Sequence, residues 1–126
     1  MSEKVYTKSA PDAIGPYSQA VKVGNLVFTS GQIAIDPSVG DVVAKTIEEQ
    51  TEQVCKNLTE VLKAAGTSID KAVKTVCFLK EMGDFAAFNE VYGSYFTENP
   101  PARSTVAVKS LPKDALVEVE ITAVIG

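Results

Sequence analysis

The stretch PPARSTVAV, residues 100–108, sets an arginine at the head of a strand-like run, just past a stiff Pro-Pro corner. A guanidinium there is costly to desolvate unless an anion meets it. A second strand-like run, LVEVEITAV at 116–124, offers two carboxylates. In it Glu118, Glu120 and Thr122 share one face, while Val117, Val119, Ile121 and Ala123 share the other. If the two runs pair antiparallel around a turn at residues 111–114, Arg103 lies opposite Glu118 or Glu120. One outcome is a cross-strand ion pair on a solvated face, worth about 0.2–1 kcal/mol. The other is a pocket in which Arg103 grips a ligand carboxylate with both prongs and Glu118 handles protons. Spacing alone leaves both open.

The remaining chemistry is bounded by what the chain lacks. It contains no histidine, which removes Ser-His-Asp and Cys-His triads and ordinary zinc sites. Cys55 and Cys77 are the only cysteines; both lie in apolar patterns and read as buried free thiols. No glycine run approaches phosphate-loop or dinucleotide spacing. The formal charge is −4 with no basic run, which argues against nucleic acid as a partner. No apolar stretch nears the ~20 residues of a membrane span. The opening MSEKVYTKSA lacks a signal-peptide core, so a cytoplasmic protein is expected.

These groups need a scaffold, and 126 residues with 45% hydrophobic and 22% charged side chains suit one domain over residues 1–126. Residues 20–23 and 26–30 read as strands flanking a Gly24-Asn25 turn. Asp36-Pro37 and Gly40-Asp41 bracket a loop. Thr46 with Glu49 has capping-box spacing. Behind it Ile47, Val54, Leu58, Val61, Leu62 and Ala65 fall on one helical face that Gly66 stops. Residues 71–80 read as a strand. Asp84 then caps a second helix with Phe85, Phe88, Tyr92 and Tyr95 on one face, expected to be core, and Asn99-Pro100-Pro101 ends it. The order is ββαβαββ. Two amphipathic helices on one face of a mixed α+β sheet is the economical packing. The other face is expected to carry Arg103, Glu118 and Glu120, with Thr105, Ala107 and Thr122, and to be wet or covered by another subunit.

The segments AIGPYSQAV, FTSGQI, KTVCFLKEMGDFAAFNEVY and PPARSTVAVKSLPKDALVEVE, in this order, resemble the RidA/YjgF family of reactive-intermediate deaminases over nearly the whole chain. The resemblance implies a chorismate-mutase-like α+β fold whose sheets pack into a central barrel in a homotrimer, with sites between subunits. It implies hydrolysis of 2-imino acids, such as 2-iminobutanoate and 2-iminopropanoate, to 2-oxo acids and ammonia, with no cofactor and no metal. Matched by motif, Arg103 is the carboxylate-gripping arginine and Glu118 the acid that orients water. Tyr17, Ser30 and Gly31 line the cleft, and Asn89 stands near it. Many relatives have cysteine where this chain has Thr105.

Each of these residues also has a purely structural role open to it. Tyr17 could pack at its turn, Ser30 cap one, Gly31 end a strand, and Asn89 sit exposed on a helix. A trimer that merely binds small carboxylates, and a ribonuclease or translation inhibitor, are the competing functions. The last is disfavoured by the missing histidine and the acidic balance.

Overall fold

In the computed structural model, which describes residues 2–126, six strands form one mixed sheet. In chain order they are β1 (Ser2–Val5), β2 (Ala20–Val23), β3 (Leu26–Thr29), β6 (Ala72–Leu79), β7 (Ala102–Ala107) and β8 (Val117–Val124). The spatial order is β1-β2-β3-β8-β6-β7. A small separate ladder joins β4 (Ile35–Asp36) to β5 (Asp41–Val42) across the segment expected to be a loop. Helices α1 (Ile47–Ala64) and α2 (Phe85–Tyr95) lie against one face of the sheet. The expected ββαβαββ arrangement is thus present, with β1 added at one edge.

Local chemistry explains the secure elements. Gly24, at φ +59°, takes the first central position of the two-residue turn that registers Val23 with Leu26. The Thr46 hydroxyl accepts from the Glu49 N–H at 3.1 Å and starts α1. At the other end Gly66 sits at φ +87°. Its N–H bonds to the Lys63 carbonyl and that of Thr67 to the Leu62 carbonyl, each at 3.0 Å. That pair of bonds is the Schellman stop. All six residues of the predicted α1 stripe are buried, packed with Val27, Val117, Val119 and Ile121 of the sheet. Asp84 does precede α2, but its side chain makes no capping bond.

The pairing of the last two strands departs from expectation. β7 runs parallel to β6, with Arg103 registered on Thr75, and β6 in turn pairs antiparallel with β8. β6 therefore separates the two strands expected to be neighbours. The β6–α2–β7 crossover packs its helix on the sheet and returns β7 beside its parallel partner. The link from β7 to β8 is long enough to step across β6.

The consequence reaches the candidate site. Arg103, Thr105 and Ala107 register with Thr75, Cys77 and Leu79, all fully buried under the helices. They belong to the helix-covered face. Glu118 and Glu120 register with Phe78 and Val76 on the open face. The expected face shared by Arg103, Thr105, Ala107 and the glutamates does not exist; of the small and polar residues expected there, Thr122 is on it, with Phe28.

Candidate functional site

Within one chain the expected site residues fall into two groups. From Arg103 to Glu118 the route crosses two strand spacings and three residues, about 14 Å between Cα atoms, and passes to the opposite face. No Arg103–Glu118 or Arg103–Glu120 ion pair forms; the salt bridges among the described residues are Lys22–Glu3, Lys80–Asp114 and Lys113–Asp41.

The first group surrounds Glu118. Past β3 the chain continues through Ser30 and Gly31 to Gln32, whose N–H and carbonyl exchange bonds with Val119 at 2.9 and 3.1 Å. This bridge holds Gly31 against β8, where the Glu118 side chain lies beside its α-carbon. A Cβ on Gly31 would stand 2.8 Å from the Glu118 carboxyl carbon, so closeness, not backbone conformation, requires glycine here. Tyr17, Gly31 and Glu118, with Ile14, Ile33 and Pro112, line a cavity of about 160 Å³. Tyr17 is held by a tight turn in which its N–H reaches the Gly15 carbonyl at 2.8 Å, and the residue is 48% exposed. Ser30 is a brace: its hydroxyl donates to the Ser18 carbonyl at 2.6 Å. Burial pushes the Glu118 carboxyl above the ordinary carboxylate value, and the Glu120 charge beside it adds to the shift.

Three buried amides fix these loops. Gln19 donates to the Pro11 carbonyl at 2.8 Å and accepts from the Thr7 N–H at 2.7 Å. Asn57, on α1, donates to the Ile35 carbonyl at 2.9 Å. Gln50 accepts from the Leu116 N–H at 2.9 Å. Sequence reasoning assigned none of them a role. The available signal was an amide set in an apolar stripe, as Asn57 is between Val54 and Leu58.

The second group surrounds Arg103 at the sheet's edge. Its NH1 donates to Asn89 Oδ1 at 2.7 Å. Its Cζ lies 4.9 Å from the Tyr92 ring centroid, 5.3 Å from that of Phe85 and 5.9 Å from that of Phe88. Rings expected to be plain core therefore also form a floor for the guanidinium, with cation–π attraction of about 0.5–2 kcal/mol. A groove lined by Asn89, Tyr92, Pro100, Pro101 and Arg103 opens beside it. The Pro-Pro corner thus forms one wall of the arginine's approach. The Thr105 hydroxyl, two residues on, is buried without a partner.

Electrostatically, one group offers a fixed cation with donors to spare and the other a carboxyl of raised proton affinity over a glycine backbone. Neither contains a set of His, Cys, Asp and Glu fit for a metal ion, and none occurs elsewhere among the described residues. Nor is any described helix long and apolar enough to cross a membrane.

Comparisons with known proteins agree on one family. The family model described as Endoribonuclease L-PSP matches residues 7–125. A RutC family protein of Pyrococcus horikoshii is 50% identical over 123 residues, 98% of each chain. Reactive Intermediate Deaminase A, chloroplastic, of Arabidopsis thaliana is 48% identical over 121 residues, covering 96% of this chain and 65% of that protein. The crystal structure of TdcF from E. coli with bound serine superposes with a TM-score of 0.93 at 40% identity, over 98% of this chain and 99% of that one.

Proposed function

Since the chain belongs to the RidA/YjgF family, we propose that it hydrolyses reactive 2-imino acids, among them 2-iminobutanoate and 2-iminopropanoate, in clefts between the subunits of a homotrimer. The observation that carries this reading is the state of Arg103. Its guanidinium is held by three rings and one amide and, among the described residues, meets no carboxylate, while the Glu118 carboxyl lies on the opposite face of the sheet with no cation paired to it. Two incomplete halves on one chain suit a site completed by a second copy. The open sheet face supports the same assembly, since it leaves Phe28 43% and Val106 45% exposed, and no helix covers it.

In the proposed site Arg103 and Asn89 of one subunit face Tyr17, Gly31 and Glu118 of the next, and Ser30 holds the turn behind Gly31. Arg103 forks the substrate carboxylate, a charge-assisted contact worth about 1.5–3 kcal/mol net. Water attacks the carbon of the protonated imine as the Glu118 carboxylate takes one of its protons. The resulting carbinolamine takes that proton on nitrogen, the C–N bond breaks to release ammonia, and the hydroxyl passes its proton through the Glu118 carboxylate to that ammonia as it becomes the 2-oxo group. Iminium and water thus yield 2-oxo acid and ammonium. A carboxyl whose proton affinity is raised by burial suits these transfers. No step needs a thiol, so threonine at position 105 is compatible with it.

The test is formation of 2-oxobutanoate from freshly generated 2-iminobutanoate, with light scattering on the same sample. Acceleration over buffer by a trimer is the expected result. Binding of 2-oxobutanoate without acceleration would instead favour a carboxylate-binding trimer, and a monodisperse monomer would remove the shared site. The endoribonuclease named by the family model is the second reading. It requires RNA cleavage that persists, at constant specific activity, through further purification.

A further inference from the structure

Under Arg103 lies a buried polar contact that the proposed chemistry leaves unused. The Tyr92 and Thr75 hydroxyls meet at 2.7 Å, with Thr75 fully buried and Tyr92 6% exposed. The Cys77 thiol donates weakly to the same Thr75 oxygen, at 3.9 Å. For packing alone, valine and phenylalanine would fill this space with no hydroxyls to satisfy.

The placement of the pair points to a use. Thr75 is the register partner of Arg103 in the β6–β7 ladder. Tyr92 supplies the ring nearest the guanidinium. Asn89, which takes the Arg103 hydrogen bond, lies three residues earlier on α2 and so on the same helical face. Ladder, hydroxyl pair and ring contact therefore close a circuit around one side chain. Among the described residues, the side-chain hydrogen bonds joining α2 to the sheet are Tyr92–Thr75 and Asn89–Arg103. The first sets the roll of α2 over β6, and that roll sets both the ring plane and the amide the guanidinium meets.

We infer that Tyr92 and Thr75 are positioning residues, holding the Arg103 guanidinium in the plane from which it forks a ligand carboxylate. The inference rests on the carboxylate-binding role proposed for Arg103. A fork makes two parallel hydrogen bonds only when its plane is fixed. A ring without its tether leaves that plane free to rock.

The decisive variant is the double substitution Thr75→Val with Tyr92→Phe, which removes both hydroxyls, leaves neither orphaned and keeps the ring. Imine hydrolysis, melting temperature and the ¹⁵N-detected Arg103 Nε–H signal, assigned by its loss in Arg103→Lys, are measured together. Expected are a KM raised about fivefold or more with kcat within about twofold, the pattern of binding lost equally from ground state and transition state. The melting temperature should stay near the parent's, and the Nε–H heteronuclear NOE should fall. Thr75→Ser, which keeps the hydroxyl, should keep the parent's KM. An unchanged KM and NOE in the double variant would overturn the inference. If the parent itself neither hydrolyses imines nor binds 2-oxobutanoate, the functional reading fails instead. The Arg103 NOE then decides alone: a fall upholds the positioning role and no change overturns it.

Discussion

Gly31→Ala is the sharpest probe of the Glu118 half of the site. The new methyl would stand 2.8 Å from the Glu118 Cδ and 3.0 Å from its Cγ, where ordinary contact begins at 3.4 Å. The backbone cannot retreat easily, because Ser30 N–H is bonded to the Gln19 carbonyl and Gln32 exchanges two bonds with Val119. Glu118 must yield instead, moving its carboxyl carbon by at least about 0.6 Å and its nearer oxygen further. A displaced rotamer costs of order 0.5–1.5 kcal/mol, a drop of a few degrees in melting temperature for a chain this size. The effect on turnover should be far larger, since ~1 Å of misplacement at a reacting group costs about 10²-fold. The assay is hydrolysis of 2-iminobutanoate generated in place, alongside calorimetric melting. Gly31→Ala combined with Glu118→Asp, whose carboxyl is withdrawn by one methylene, should recover the stability but not the turnover. A single alanine variant with turnover within threefold of the parent would refute the reasoning, because Glu118 would then not need its observed position.

Four further outcomes are expected. Arg103→Lys keeps the charge but not the planar fork; kcat/KM should fall about 10- to 100-fold, the worth of one charge-assisted hydrogen bond, with the parent's oligomeric state unchanged by light scattering. Glu118→Gln should lower turnover by about 10²-fold or more with 2-oxobutanoate affinity little changed, whereas Glu120→Gln should act mainly on stability or assembly. Because burial raises the Glu118 carboxyl, the folded state binds the extra proton and stability falls as pH rises from the ordinary carboxylate range through the raised value. Thermal scans should therefore show Glu118→Gln melting above the parent at neutral pH and level with it near pH 4. Burial also pushes the Cys55 thiol up to about 12 and the Cys77 thiol up to about 11. Their protons are lost more readily from the unfolded chain, so the melting temperature should drop as pH climbs past 9, and neither thiol should react with a disulfide reagent at pH 8 without denaturant.

Much of the scaffold was legible because its signals are local. Thr46 and Gly66 mark the ends of α1 through hydrogen bonds made within a few residues. The alternation in residues 116–124 assigns the faces of β8 wherever that strand lies. The Gly24-Asn25 turn fixes the β2–β3 register through φ alone. The absence of histidine is a property of composition, and it narrowed the chemistry before any fold was known. The motifs around Tyr17, Gly31, Arg103 and Glu118 were likewise readable as a set.

Strand order was not legible, and the site depends on it. Periodicity reports which face a residue takes relative to its own strand and says nothing about which strand stands alongside. Arg103 and Glu118 looked like cross-strand partners because their strands are neighbours in sequence. The packing of α2 returned β7 to the far side of β6, which turned Arg103 toward the helices and Glu118 toward the open face. The same packing brought Phe85, Phe88 and Tyr92 beneath the guanidinium. By itself the sequence determined both helices, the longer strands, the alternation of side chains along each strand and the residues able to do chemistry. Only the tertiary structure decided that an arginine and a glutamate fifteen residues apart face away from one another within a chain, because long-range packing free energy, not local pattern, sets the order of strands in a sheet.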